Sequence, residues 1–300
     1  MPQLSAPEKN QIRGPLTTKP VEQPASIKAT DGLCKLPSLR PVALKILKLL
    51  SRDDAELPEI ARLLQSDPGF SAEVLTMANS AVYGTLQPIG DLSRAILFLG
   101  LDRVRALTMT IAMRSFTSKG QDGVDIRSSW RHSLGCALLA EELAPVYDIS
   151  KQRAYTAGLL HDIGRLGLLK AYSKQYGILL SQVYETLPEL HDMERKLFNM
   201  DHCQAGLWLS KTWGFPEEFT EIAARHHDCI AGRERDMIGL VGIACSMADA
   251  LGFGAVQYRA LRTPEQIVCE TPINLQRRFP TKWEDVQVRI AEKLESLDSA

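Results

Sequence analysis

Apolar residues recur at helical spacing along almost the whole chain. Between Leu36 and Phe116 they fall at i, i+3, i+4 and i+7: Ala43, Ile46, Leu47 and Leu50, then Leu57, Ile60, Ala61 and Leu64, then Leu92, Ala95, Ile96 and Leu99. Asp67 before Pro68 supplies an N-cap and a first-turn proline for a helix carrying Phe70, Val74, Met77 and Ala78. Asp91 can cap the next helix and Gly100 end it, and a further helix carries Val104, Leu107 and Ile111. The stretch Thr117–Ile126 is polar, contains Gly120 and Gly123, and reads as a long loop. From about Arg127 to Gly252 the helices are longer, with no convincing strand alternation, and Asp201 with Gln204 resembles a capping box. Beyond residue 256, Pro264, Pro272 and Pro280 interrupt the pattern before a helix over Trp283–Leu297. No internal repeat is evident. The expectation is an all-α chain of two packed helical subdomains, 31–116 and 127–252, with a C-terminal helical extension over 253–300. Residues 1–30 hold five prolines and no aromatic residue, and are expected to form a disordered leader.

Composition narrows the function classes. With 300 residues, 45% apolar and 24% charged, the chain can bury a sizeable core. Lys and Arg number 35 against 36 Asp and Glu, so the basic excess of a dedicated nucleic-acid binder is missing. The six cysteines include no C-x-x-C pair, which argues against a zinc ribbon, a thioredoxin-like site and a disulfide framework. No basic stretch followed by an apolar run opens the chain, and the most apolar stretch, Leu240 to Val256, is short of a membrane span and contains Asp249. A cytoplasmic protein with no membrane contact is expected.

The candidate chemistry lies in the second half. His161 and Asp162 end an apolar run, with Gly164 expected as the stop; His132 follows Trp130; His202 opens the helix capped by Asp201; His226 and His227 close a helix opened by Pro216. Taken singly these have structural explanations: a histidine pair in a last helical turn is favoured by the helix dipole, and Asp162 can be a solvated helix-end carboxylate. Asp249 is harder to dismiss, because a carboxylate on an apolar helix face is costly to bury unless paired or metal-bound. Imidazoles and carboxylates carried by separate helices and facing inward are what a metal site in a helical bundle requires, and they suit iron, manganese or zinc.

His132, His161-Asp162 and Asp249 match the H…HD…D signature of the HD superfamily of metal-dependent phosphohydrolases. The blocks Leu36-Pro-Ser-Leu-Arg-Pro, Ser66-Asp-Pro, Ala78-Asn-Ser-Ala-Val-Tyr-Gly84, Ala95 to Arg105, Trp130-Arg-His-Ser, Gly158-Leu-Leu-His-Asp-Ile-Gly164, Asp201-His202 and Trp213 to His227 resemble an HDOD domain over about residues 33–252. The resemblance implies an all-helical signal-transduction domain (residues 31–252), its second part an HD-superfamily bundle, working with kinase- or response-regulator-type proteins. In the related HD-GYP phosphodiesterases, His132, His161, Asp162, His202, His226, His227 and Asp249 would correspond to ligands of one or two divalent ions, iron or manganese foremost. Three departures stand out. Arg165 replaces a lysine, and can clamp a phosphate but cannot act as a proton donor. The residues after His227 lack the Gly-Tyr-Pro element. Asn199 replaces a glycine and tolerates the left-handed backbone.

Two function readings follow. One is a regulatory module acting through protein partners, with a structural or ligand-sensing metal site and a phosphorylated or nucleotide ligand. The other is a phosphohydrolase, in which metals at His132, His161, Asp162 and Asp249 polarise a phosphoryl oxygen and activate a water. The first is preferred, since fold and ligand retention do not establish turnover.

Overall fold

The computed structural model describes residues 26–50, 57–80, 88–118, 126–230, 232–233 and 236–299. The first half contains α1 (Thr30–Leu33), α2 (Pro41–Leu50), α3 (Leu57–Gln65), α4 (Pro68–Ala78), α5 (Leu92–Leu99) and α6 (Leu101–Ser118). Their boundaries follow the sequence signals. Asp67 accepts the Phe70 N–H at 3.0 Å and Asp91 accepts the Arg94 N–H at 2.8 Å. Gly100 closes α5 at φ 78°, a conformation that costs a glycine little. Of the loop expected over Thr117–Ile126, residues 119–125 lie outside the described residues; α6 continues through Ser118 and the next helix opens at Ile126.

The second half contains α7 (Ile126–Leu143), a 3-10 turn at Ala144–Tyr147, α8 (Lys151–Leu160), α9 (Ile163–Ala171), α10 (Ser173–Leu180), α11 (Leu187–Phe198), α12 (His202–Trp213), α13 (Glu217–Arg225) and α14 (Met237–Ala250). The chain ends with α15 (Pro264–Cys269), α16 (Ile273–Gln276) and α17 (Trp283–Ser299). α7 is enclosed by α8, α14 and α17, and α12 packs on α9 and α13. Among the described residues the fold is all-α apart from β1 (Val183–Tyr184) and β2 (Gln257–Tyr258), which pair in parallel. Two-residue strands are too short to leave an alternating pattern, so the sequence showed none.

The two halves share one apolar core. α6 packs on α2, α4 and α5 and also against α8. A buried hydrogen bond, 2.8 Å from Thr110 Oγ1 to Tyr155 OH, joins α6 to α8. The Lys170 ammonium donates to the Phe116 carbonyl and lies 4.4 Å above the Phe116 ring. The leader expected over 1–30 falls on residues 1–25, outside the described residues, and on 26–30, which are held in place. The Ile27 N–H donates to Leu197 O at 2.7 Å and Ala29 is buried. The prolines near the start hid this, because a single alanine and isoleucine carry no periodicity.

Candidate metal centre

The site is assembled where helices stop and start. α8 ends at Leu160 and α9 begins at Ile163, so the break consists of His161 and Asp162. His161 Nδ1 lies 2.6 Å from Gly158 O, leaving its buried Nε2 without a partner. Both Asp162 carboxylate oxygens are buried and lack a hydrogen bond of good geometry. Gly164 is not the stop that the sequence suggested: it lies inside α9. A Cβ there would come within 2.0 Å of His202 O and 2.3 Å of Gly206 N. Glycine is needed because the start of α12 lies directly against α9, which brings His202 to Asp162 with 3.9 Å from Nε2 to Oδ1.

The remaining histidines arrive the same way. The Asp201–Gln204 capping box opens α12, and Asn199 at φ 57° turns the chain into it. His226 caps the end of α13, its Nδ1 3.2 Å from Ile222 O, with His227 following. His132 comes from the middle of α7, its Nδ1 3.1 Å from Phe253 O. All six histidines of the chain then form one array. Ring centroids are 5.4 Å apart from His132 to His161 and 4.8 Å from His161 to His226. His226 lies 5.6 Å from His202, and His202 lies 5.1 Å from His227 and 4.9 Å from His191.

Of the seven residues proposed as ligands, His132, His161, Asp162, His202, His226 and His227 converge. Asp249, on the last turn of α14, lies 3.7 Å from His132 Nδ1, the edge already engaged with Phe253. One turn earlier, Cys245 Sγ lies 3.6 Å from the inward His132 Nε2. Among the described residues, three donor groups lie within ligand-sharing reach: His132, His161 and Cys245; Asp162, His202 and His226; and His191, His202, Cys203 and His227. Arg165 is buried, its Nε 2.6 Å from Asp162 Oδ2 and its Nη2 3.2 Å from His202 Nε2. Its guanidinium is thus engaged by the cluster itself.

Sequence reading missed His191 and Glu194, and it took Cys203, beside the histidines, as core filler and not as a ligand. Glu194 is fully buried and accepts from His202 Nδ1 at 2.8 Å, from the His202 backbone N–H at 2.9 Å and from Tyr176 OH at 2.5 Å. A signal existed: Leu190, Glu194 and Phe198 form the buried stripe of α11, so Glu194 is a charge on an apolar face.

Electrostatics leave the donors ready for a cation. Burial, reinforced by His161, pushes His132 down to about 3, and burial also lowers His161. Burial, with repulsion from His161 and His202 on His226 and from His226 and His202 on His227, lowers both well below the usual imidazole range. Burial opposes the charge of Asp162, but Arg165 and the surrounding imidazoles outweigh it and hold the carboxyl well below its ordinary range. His202 goes the other way: burial opposes its charge, Glu194 overcomes that, and its pKa rises well above the usual value. Desolvation pushes Asp249 up to about 7 against the pull of Arg165. With His202, whose extra proton an ion would displace, as the exception, neutral imidazoles, an ionised carboxylate and buried lone pairs without partners fit a divalent metal.

A cleft of about 330 Å³ opens onto this cluster. His227, Cys245 and Asp249 of the cluster line it, together with Glu185, Tyr258, Ser246 and Arg262. The β1–β2 pair positions the two rim segments, and Arg262 is steadied by Ser246 Oγ at 3.0 Å and Glu270 at 2.5 Å.

The fold has solved counterparts. It is similar to an HDOD domain protein of Geobacter sulfurreducens, with 24% identity, 90% of this chain and 96% of that one covered, and a TM-score of 0.72. It is similar to a candidate signal transduction protein of Marinobacter aquaeolei VT8, with 22% identity, 91% and 59% covered, and a TM-score of 0.66. It is also similar to a candidate metal-dependent phosphohydrolase of Shewanella amazonensis SB2B, with 22% identity, 91% and 94% covered, and a TM-score of 0.60. In sequence it is 24% identical over 221 residues to an uncharacterized protein of Treponema pallidum (strain Nichols), which aligns with 71% of this chain but spans only 41% of that protein. At these identities the likenesses establish the fold. The family itself follows from the HDOD domain model, which matches residues 36–229 and so takes in both the helical first half and the histidine cluster: the chain belongs to the HDOD domain family.

Proposed function

We propose that this protein is a cytoplasmic regulatory module that acts through signalling partners of the kinase or response-regulator type, with its His/Asp cluster holding a divalent metal, iron or manganese foremost. One observation carries the reading. The cluster is built on α7 and α8, and α8 is the helix on which α6 of the first half packs, tied by Tyr155 to Thr110. A change of occupancy at the cluster therefore bears on the half available to partners, provided that the two arrangements bind a partner differently.

His132, His161 and Asp162 would hold the inner ion, with His202, His226 and His227 beside them and Asp249 orienting His132 from behind. Such an ion supplies Lewis-acid character toward a phosphoryl oxygen. The chain's own groups do the rest: Arg165 balances Asp162, Glu194 orients His202, and Arg262 at the cleft rim offers a cation to a phosphorylated or nucleotide ligand.

The test is elemental analysis of anaerobically purified protein, then partner affinity. Metal in the wild type, its loss in His161→Ala with Asp162→Ala, and a changed partner dissociation constant support the reading. Metal-free wild-type protein overturns it. A phosphohydrolase is the second reading, favoured by the cleft that joins the cluster to the surface. Chelator-sensitive release of phosphate in a phosphoester screen would select it.

A further inference from the structure

We infer that the outer end of the histidine array is a second metal site, made by His191, His202, Cys203 and His227, and that its chemistry selects a zinc-type ion. This rests on the reading of the cluster as a metal centre, and places one ion where the sequence pattern does not.

The donor atoms of these four residues all lie within 4.8 Å of one another. A four-coordinate ion with nitrogen ligands at ~2.0–2.1 Å and sulfur at ~2.3 Å needs donors roughly 3.3–3.6 Å apart, so small rotations close the set. Two of them are already there: His202 Nε2 and His227 Nε2 are 3.1 Å apart. His191 Nε2 is buried and has no hydrogen-bond partner, which is costly for a ring nitrogen unless something binds it. Its ring lies 4.9 Å from that of His202 and 5.4 Å from that of His227. Glu194 grips His202 through Nδ1, so Nε2 is the atom left to face the ion, the arrangement by which a carboxylate strengthens an imidazole ligand.

Arg165 explains why the ion should sit here and not deeper. The Arg165 guanidinium already holds Asp162 Oδ2 at 2.6 Å, so an inner ion on Oδ1 leaves that carboxylate no oxygen with which to bridge to a second cation. At the outer position the ion displaces Arg165 only from its 3.2 Å contact with His202, and the Asp162 pair survives. The outer group contains no carboxylate ligand and one thiol. Three imidazoles and a thiolate form a borderline-soft set that suits zinc over magnesium, calcium or manganese.

Cobalt(II) is the probe, because a cobalt–thiolate bond has a charge-transfer band in the near ultraviolet that a nitrogen–oxygen site lacks. Metal-stripped full-length protein is titrated with cobalt(II), with elemental analysis run in parallel. The expected result is a thiolate band in the wild type and in Cys245→Ser. The band should be lost in Cys203→Ser and need at least about tenfold more cobalt in His191→Ala. It should persist in His161→Ala, where the inner ion is lost. The absence of a band in folded wild-type protein overturns the inference. So does a band that Cys245→Ser abolishes and Cys203→Ser keeps, since the thiolate would then belong to the inner group. If Cys203→Ser fails to fold, His191→Ala, at a half-buried position, still tests the site: an unchanged cobalt requirement there overturns the inference. Inner-ion content in Cys203→Ser reports separately on the metal reading itself.

Discussion

Glu194 shows how much one buried carboxylate can decide. It is fully buried, receives Tyr176 OH on one oxygen and the backbone N–H of His202 on the other, and holds the His202 ring through Nδ1. His202 keeps it ionised, down to about 2, although burial favours the neutral acid. Glu194→Gln keeps the shape and removes the charge. The expected outcome is a folded protein whose metal affinity, measured by competition with a chelator, falls about 10- to 100-fold. The neutral histidines add a pH effect. His132 is held down to about 3 from 6.5, so the folded chain carries fewer protons than the unfolded one in that window. Stability of the chelator-treated protein should therefore fall as pH drops from about 6.5 toward 3. Asp249, raised from 3.8 to about 7, has the opposite slope over its own window. Asp249→Asn should thus steepen the acid loss of denaturation midpoint, and an unchanged slope would show that Asp249 is solvated. Most of this site was legible because five histidines sit at helix ends or beside aromatic residues. His191 and Glu194 were not, since Leu187–Phe198 has enough charge to read as a solvated helix; only the Leu190–Glu194–Phe198 stripe gives it away.

At the scale of elements, caps were the most readable feature and glycine the least. Asp67, Asp91 and Asp201 each accept an N–H three residues on, as side chains of that length at helix starts do. Gly164 looked like a helix stop because it closely follows the His-Asp pair. In the fold that pair is itself the break, and the glycine is where two backbones meet. The signal for close approach is spatial, not local, so the sequence could not show it. Gly158 makes a similar contact, its Cβ position 2.8 Å from Ala137 Cα on α7. Gly164→Ala would drive a methyl into the first turn of α12, where the obstacle is backbone and cannot rotate away. Overpacking costs about 1–3 kcal/mol where side chains can adjust, and more where they cannot. The expected outcome is a melting temperature lower by about 10 °C or more, with metal content falling alongside. A variant with wild-type melting and metal content would show that α9 and α12 can slide apart without loss.

For the whole molecule, the helix that closes the chain decides whether the bundle stands. α17 buries Trp283, Val286, Ile290, Leu294 and Leu297, and lies along α7, the helix that carries His132. Its far end is held by charge: Arg131 reaches Glu295 at 2.6 Å and Asp298 at 3.0 Å, and Arg127 reaches Asp298 at 2.9 Å. These pairs are partly exposed, so each contributes at most ~1 kcal/mol and mainly sets the register. The apolar face matters more. At ~1.5–3 kcal/mol for each fully buried large side chain, five of them contribute roughly 10 kcal/mol, an amount comparable with the ~5–15 kcal/mol that a whole domain has in reserve. The segment that the sequence marked as an extension beyond the HDOD-like region is therefore part of the core. Gly135 on α7 packs against Phe253 and Leu294, so losing α17 also loosens the turn of helix next to His132. A chain ending at Lys282 is expected to lose cooperative melting and to retain no metal above the level of His161→Ala protein. Reversing the charge at Asp298 with Asp298→Arg should cost only a small part of that, a few degrees of melting temperature, because it leaves the apolar face in place. Calorimetry on the three chains separates the contributions. If the truncated chain still melts in a single sharp transition near the wild-type temperature, then α17 is an appendage and the bundle ends at α16.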